Sequence, residues 1–391
     1  MDRSMWAVMA GTFTLRFSTG LTGAMLGVYL AKLPEHGGVE VAATTLGLLH
    51  ATFYLSELVL SPVFGVMSDR LGHHRVMLFG PFFGAVAVIL TGLTTNLVIL
   101  GGTRVLEGAS TAASIPSILG YIALATAGNE LLRGQAAARF EGATLAGIGV
   151  GFAVAPLLFG ALGPAAFFLN ALFYGGSFLI YRYGVEDRDR EEREMAAAAR
   201  TSSMDLSRYR ALLRTSHVWL LAPTWIAVNA SIGVWFSQSI FQFSAPNPDF
   251  PDQVLHQGFT PLQISMAAVA VGLLFGAGLL YWGNKFRSLR RTTIILYGIG
   301  GGALVALGGL AVNHANALPV VVPIVGVGLV AFGLFVLAGA TPAALGLLAD
   351  ISERFPTDRG AIMGLYSVFL AVGQIAGSLI GGVAADWRGF D

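Results

Sequence analysis

The chain has 391 residues, 55% of them hydrophobic and 12% charged, with a formal net charge of +1 and no cysteine. A soluble domain carries roughly a quarter of its residues as charges, so a water-coated globule is excluded. Without cysteine, disulfide frameworks, cysteine–zinc sites and thiol catalysis are excluded too.

Helix-spanning requirements organise the rest, since about 20 mostly apolar residues are needed to cross a bilayer. After Met1-Asp2-Arg3-Ser4 the chain runs apolar over 5–33, longer than the roughly 7–15 residues of a signal-peptide core, and reads as a retained first span. Ten more apolar stretches follow at 42–66, 76–96, 99–127, 138–160, 163–182, 216–243, 262–282, 292–312, 318–348 and 361–384. They are too long for barrel strands and lack a period-two alternation, which leaves helices. The 51 glycines fit this, because small residues let helices in lipid approach closely.

Charge then orients the spans. Of 23 Lys and Arg, Arg16 and Arg104 lie inside spans, Lys32 and Arg388 fall on one face, and all others fall on the opposite face. The positive-inside rule makes that second face cytoplasmic, with the N-terminus inside, and implies a multi-pass plasma-membrane protein. Between the sixth and seventh stretches, residues 184–215 turn charged, with Glu186 to Glu194 forming a mixed run, and read as a solvated cytoplasmic linker.

The two flanking halves repeat. Ser68-Asp69-Arg70-Leu71-Gly72 after the second stretch pairs with Gly283-Asn284-Lys285 after the eighth. Val150-Gly151 in the fifth pairs with Val372-Gly373 in the eleventh. Such internal symmetry is a transporter signature. The expected fold is therefore an all-α polytopic membrane protein of two pseudo-symmetric six-helix bundles. One bundle takes 1–183 and the other 216–391, with eleven spans present and the last helix of the second bundle missing.

These residues resemble the major facilitator superfamily. Gly65-Val66-Met67-Ser68-Asp69-Arg70-Leu71-Gly72-His73-His74-Arg75 is similar to its signature between helices two and three. Arg104 with Gly108 four residues on resembles its helix-four motif. Gly147, Gly151, Pro156 and Gly160 resemble the helix-five pattern of proton-coupled antiporters, with Ala155 where that pattern carries Gly. The resemblance implies alternating access and points toward efflux. In the loop signature, Gly65 permits a tight helix end and close packing of a neighbour, and Asp69 can accept hydrogen bonds from a helix N-terminus such as one starting near Gly360, so the motif, with Arg70, Gly72 and Arg75, is expected to act as a gate latch.

Four charges fall well inside spans: Arg16, Glu57, Arg104 and Glu107. Each costs about 2.5–3.5 kcal/mol near the bilayer centre unless paired or hydrated. His50, Tyr54, Glu57 and Ser61 share one helical stripe, as do Arg104, Glu107, Thr111 and Ser114, and Thr12, Arg16 and Thr19. Glu57 and Glu107 are the proton-coupling candidates, because a desolvated carboxylate can load and release a proton near neutral pH. Structural ion pairing is the competing reading. On the seventh stretch Trp225, Asn229, Trp235, Gln238 and Gln242 offer aromatic and amide groups to a small-molecule substrate, with Tyr366 and Gln374 of the eleventh as further candidates.

The histidines are scattered without metal-ligand spacing, and no nucleophile elbow or ATP-binding loop occurs, so no enzyme activity, catalytic residue, metal or cofactor is expected. No basic patch interleaved with aromatics points to nucleic acid. The expected protein is a monomeric, proton-coupled exporter of small lipophilic compounds, with protons, substrate and lipid as its partners. An importer or exchanger of organic anions or nutrients that uses Arg16 and Arg104 as clamps, and a non-transporting scaffold, are the alternatives.

Overall fold

In the computed structural model, residues 3–126, 129–187, 218–285, 288–353 and 359–391 are described. The first half holds α1 (Arg3–Ala31), α2 (Ala43–Leu71), a short α3 (His73–Met77), α4 (Phe79–Leu93), α5 (Leu97–Ala125), α6 (Glu130–Leu162) and α7 (Ala165–Gly184). The second holds α8 (Val218–Ser244), α9 (Pro261–Lys285), α10 (Arg291–Asn313), α11 (Val321–Leu337), α12 (Ala340–Glu353) and α13 (Arg359–Arg388). The described part of each expected apolar stretch is helical, with 76–96 divided between α3 and α4 and 318–348 between α11 and α12, and no strand occurs among the described residues. Among the described residues, eight helical segments are long and apolar enough to cross a membrane. Most of the expected linker, 184–215, lies outside the described residues.

The distribution of side chains is inverted relative to a soluble protein. Leu55, Val59 and Val63 point outward on α2, as do Leu273 and Leu280 on α9, whereas Thr12, Ser18, Thr22, Arg104, Glu107, Ser114, Asn170 and Ser177 are buried. Apolar surface on the outside with polar groups within is stable in a hydrocarbon solvent and unfavourable in water. Local chain chemistry sets several helix ends. Asn96 accepts hydrogen bonds from the Val98 and Ile99 backbone N–H groups at 2.9 and 3.3 Å to start α5. Asn129 accepts from Leu132 at 2.9 Å to start α6, the role that Asn favours at helix N-termini. Gly72 has φ 100° between α2 and α3, a conformation that side-chain-bearing residues rarely adopt.

The chain divides into two compact units: Met1–Val41 with Leu49–Ser203, and Ala42–Leu48 with Met204–Asp391. In unit 1, α6 lies directly on α1. A Cβ on Gly147 would stand 2.6 Å from the Phe13 carbonyl oxygen, and one on Gly151 would meet the Phe17 carbonyl oxygen and the Leu21 nitrogen. In unit 2, α13 lies on α8 in the same manner: a Cβ on Gly373 would stand 2.6 Å from the Ile226 carbonyl oxygen, and one on Gly377 would meet the Ala230 backbone. Gly151 and Gly373 are the two positions that the sequence repeat pairs. The repeat is thus a packing device, in which a glycine of the fifth helix of each half admits the backbone of the first.

Unit 2 also includes the opening turn of α2. The Asp386 carboxylate accepts hydrogen bonds from the Ala43 N–H at 2.7 Å and the Thr44 N–H at 2.9 Å, and Gln238 donates to the Ala43 carbonyl at 3.3 Å. Helix N-termini carry unsatisfied donors and partial positive charge, and here a carboxylate more than 340 residues away in sequence meets both needs.

Candidate functional site

The interior of unit 1 gathers the predicted charges around two arginines. On α5 a spacing of three places Arg104 and Glu107 on one face. Arg104 Nη2 donates to Glu107 Oε1 at 2.8 Å while Nη1 stands 2.6 Å from Oε2. Both side chains are only 3% exposed. Such a fork is the geometry that guanidinium and carboxylate share best, and it leaves only Arg104 Nε without a partner. Neighbouring hydroxyls and an amide brace the pair. Thr22 hydrogen-bonds Glu107, Asn170 donates to Thr22 Oγ1 at 2.8 Å and to the Ser18 carbonyl at 3.1 Å, and Tyr174 bonds Thr19 and Thr22.

The motif around Arg104 has a packing reason as well. A Cβ at Gly108 would collide with the Phe53 carbonyl oxygen and with Ser56, and Ser56 donates to the Val105 carbonyl at 2.8 Å. Glycine four residues after Arg104 therefore lets α5 touch α2, the helix that carries His50, Tyr54 and Glu57. Arg104 acts electrostatically on His50 across this contact.

Arg16 on α1 is held differently. It is 7% exposed, and among the described residues no carboxylate comes within the 4.0 Å of an ion pair. Its charge nevertheless acts on Glu57 and Tyr54 of α2, Tyr181 of α7 and Glu141 of α6. Tyr181 is fixed beside it by Thr12 at 3.2 Å, and Ser177 ties α7 to the Gly11 carbonyl at 2.9 Å. Gly147, from the helix-five motif, would place a Cβ 2.9 Å from that of Arg16. That motif therefore decides how closely α6 approaches the arginine.

Glu141 is absent from the predicted set, although it lies inside the predicted fifth stretch. It is an exposed residue of α6, two places after Arg139, whose guanidinium sits 5.4 Å from the Trp6 ring centre. An acid so near a basic residue at the start of a stretch looks like an end group. Its distance inward from the end of α6 was the available signal.

The remaining predicted residues are dispersed. Asn229 is 3% exposed and donates to its own helix at the Trp225 carbonyl, 2.9 Å away. Trp235 is 40% exposed and stacks on Phe390 at 6.3 Å. Gln238 is engaged at Ala43 and accepts from Gln242 at 3.5 Å. In the loop signature a Cβ on Gly65 would stand 3.9 Å from Pro116, ordinary van der Waals contact. Arg70 is exposed in the last turn of α2, and Arg75 stands 4.0 Å from Asp187 at the surface. The side chains of Asp69 and of residues 351–366 lie outside the described residues, and with them the expected latch. Pro156 sits within α6 and Gly160 is exposed near its end.

Comparison with known proteins agrees with this architecture. The chain is 25% identical over 377 residues to multidrug resistance protein 2 of Bacillus subtilis (strain 168), covering 92% of this chain and 85% of the relative. It is 23% identical over 397 residues to the quinolone resistance protein NorA of Staphylococcus aureus (strain MSSA476), covering 99% and 91%. The crystal structure of the nucleoside transporter NupG superposes with a TM-score of 0.70 at 13% identity over 99% of this chain and 92% of that one, a likeness of fold. The Major Facilitator Superfamily model matches residues 8–341 and 236–391. The protein is a multi-pass membrane transporter, not an enzyme, and it belongs to the Major Facilitator Superfamily.

Proposed function

We propose that this transporter is a secondary exporter that works by alternating access, moving small lipophilic compounds out across the cytoplasmic membrane in exchange for protons. Its N-terminus lies on the cytoplasmic side, 184–215 link the two bundles, and the working unit is a monomer. The observation that carries the reading is the contrast between the two arginines of unit 1. Arg104 is closed by Glu107 in a buried fork, and Arg16 has acids around it but none in contact.

A closed, fully buried pair is costly to open, so Arg104–Glu107 serves as a brace that fixes α5. Glu57, on the Arg16 side, is the predicted acid left to exchange a proton, since among the described residues no ion pair closes its carboxylate. Proton loading then changes the net charge beside Arg16 and biases the alternating-access equilibrium. The relatives named for multidrug and quinolone resistance support the direction and the class of cargo.

The test is transport by purified protein in liposomes loaded with a fluorescent lipophilic compound. An imposed pH gradient should drive the compound uphill, and an ionophore that collapses the gradient should abolish the flux. Uphill movement that ignores the gradient would sink proton coupling. Uptake of organic anions in preference to lipophilic compounds would instead favour an anion carrier built on Arg16.

A further inference from the structure

We infer that the face of α1 between α6 and α7 seats one anionic phospholipid, with its phosphate at Arg3 and Arg139 and an acyl chain along Ala10, Phe13 and Phe17. The inference goes beyond the exporter reading and does not depend on it, since it needs only that the chain spans a membrane.

Arg3, Trp6, Ala10, Phe13 and Phe17 recur at spacings of three and four and so share one face of α1. Most of α1 is buried, but on this face Arg3 and Ala10 are exposed, Trp6 is 59% and Phe13 38% exposed, and Phe17 is partly buried. A neighbouring helix runs along each side. On one side α6 meets α1 at the Phe13 and Phe17 carbonyls, where a Cβ on Gly147 or Gly151 would collide. On the other, Ser177 of α7 donates to the Gly11 carbonyl at 2.9 Å, and a Cβ on Gly184 would stand 2.7 Å from that of Ala7. The exposed face is thus the floor of a crevice walled by α6 and α7. Its inner end is closed by rings. Phe17 meets Phe173 of α7 edge-on at 5.0 Å, and beyond it Phe159 and Phe167 stand 6.2 Å apart, both against Tyr29.

The open end is basic. Arg139 of α6 lies 5.4 Å over the Trp6 ring, Arg182 of α7 lies 5.7 Å over Tyr183, and Arg3 heads the apolar face. Among the described residues no carboxylate stands within 4.0 Å of Arg3 or Arg182. The acids in the neighbourhood are placed otherwise. Glu186 approaches through its backbone, whose N–H donates to Ser4 at 2.9 Å, and Asp187 stands beside Arg75. Glu141 follows Arg139 by two residues and so points about 200° away around α6. A guanidinium resting on an aromatic ring keeps planar N–H donors for a phosphate. Length fits as well. From Trp6 to Phe17 the face rises about 16 Å, and one leaflet of a roughly 30 Å hydrocarbon core is about 15 Å deep. A soluble anion would engage the basic mouth alone and leave the aromatic floor bare, whereas a phospholipid covers both.

Native mass spectrometry of the full chain in detergent tests this by counting bound phosphatidylglycerol, phosphatidylcholine and inorganic phosphate. Wild type should bind one phosphatidylglycerol about tenfold more tightly than phosphatidylcholine, the scale expected of two arginines at a headgroup. Arg3→Gln combined with Arg139→Gln should erase that preference, and Arg139→Lys should keep most of it. Arg388→Gln, which removes a like arginine–tryptophan pair in unit 2, should leave it intact. Ala10→Phe adds bulk to the floor at an exposed position and should weaken both lipids, with the melting temperature in lipid-free detergent unchanged. An equal loss in Arg388→Gln would mean diffuse attraction and overturn the inference, as would a preference that survives loss of both arginines. Wild-type lipid binding in a folded Ala10→Phe would overturn the seat of the chain. Inorganic phosphate that displaces the lipid at equal concentration would overturn the phospholipid as the occupant.

Discussion

Two arginines lie in the interior of one helical unit and are treated in opposite ways. Arg104 is gripped by both oxygens of Glu107 and sealed by Thr22, Asn170 and Tyr174. Arg16, one helix away, has three elements' worth of acids and phenols in its field and no carboxylate in contact. The difference teaches that a charge inside a transporter is no evidence of function until its partner is known. A charge closed by its own helix braces the fold, and a charge left among several acids can change partners.

Breaking the closed pair should have the largest effect. Glu107→Gln leaves Arg104 buried without a counter-charge and should cost about 3–5 kcal/mol of stability, read as a large drop in melting temperature in detergent. Glu57→Gln should leave the melting temperature close to wild type. Equal destabilisation by both variants would erase the distinction between brace and exchange site.

The approach of α6 to Arg16 comes next. Gly151→Leu would push side-chain atoms into the Phe17 carbonyl and Leu21 and should cost about 1–3 kcal/mol by overpacking. Gly373→Leu should cost a similar amount in unit 2, where Gly373 meets Ile226. A smaller loss, about 0.5–2 kcal/mol, is expected for Asp386→Ala, which removes the cap from Ala43 and Thr44.

The smallest effect is a pH dependence outside the spans. His256, between α8 and α9, is 2% exposed, and among the described residues neither ring nitrogen has a partner. Burial pushes its imidazole below the usual value, and the Asp391 carboxylate pulls the other way. The folded form therefore binds its proton less readily than the unfolded form. Stability should be full above the ordinary histidine value of about 6.5 and fall as pH drops through it, until the folded imidazole itself protonates. Melting curves between neutral and acid pH should show this fall, and it should flatten in His256→Phe.

Much of the fold was legible because hydrophobic length is a strong signal in lipid, where every backbone group must be satisfied within its own helix. The Gly151–Gly373 repeat was legible too, and the structure supplies its cause in close backbone crossing. The site was legible only where it is local. Arg104 and Glu107 are three residues apart, so their pairing follows from helical geometry. The surroundings of Arg16 are assembled from α1, α2, α6 and α7, and no spacing in the sequence predicts which acids face it. Trp235, an aromatic at helical spacing, has a partner that no local pattern names, since it stacks on Phe390 from the end of the chain. The Asp386 cap joins residues at opposite ends of the chain, beyond the reach of any local pattern.

The most direct test of the exchange site is paired flux in Glu57→Gln liposomes, comparing pH-gradient-driven export with counterflow of a neutral lipophilic compound at equal pH. Gradient-driven export should be lost while counterflow persists, because the carrier still cycles but no longer couples to protons. Export that still follows the gradient in Glu57→Gln would contradict the assignment of proton exchange to the Arg16 side of the bundle.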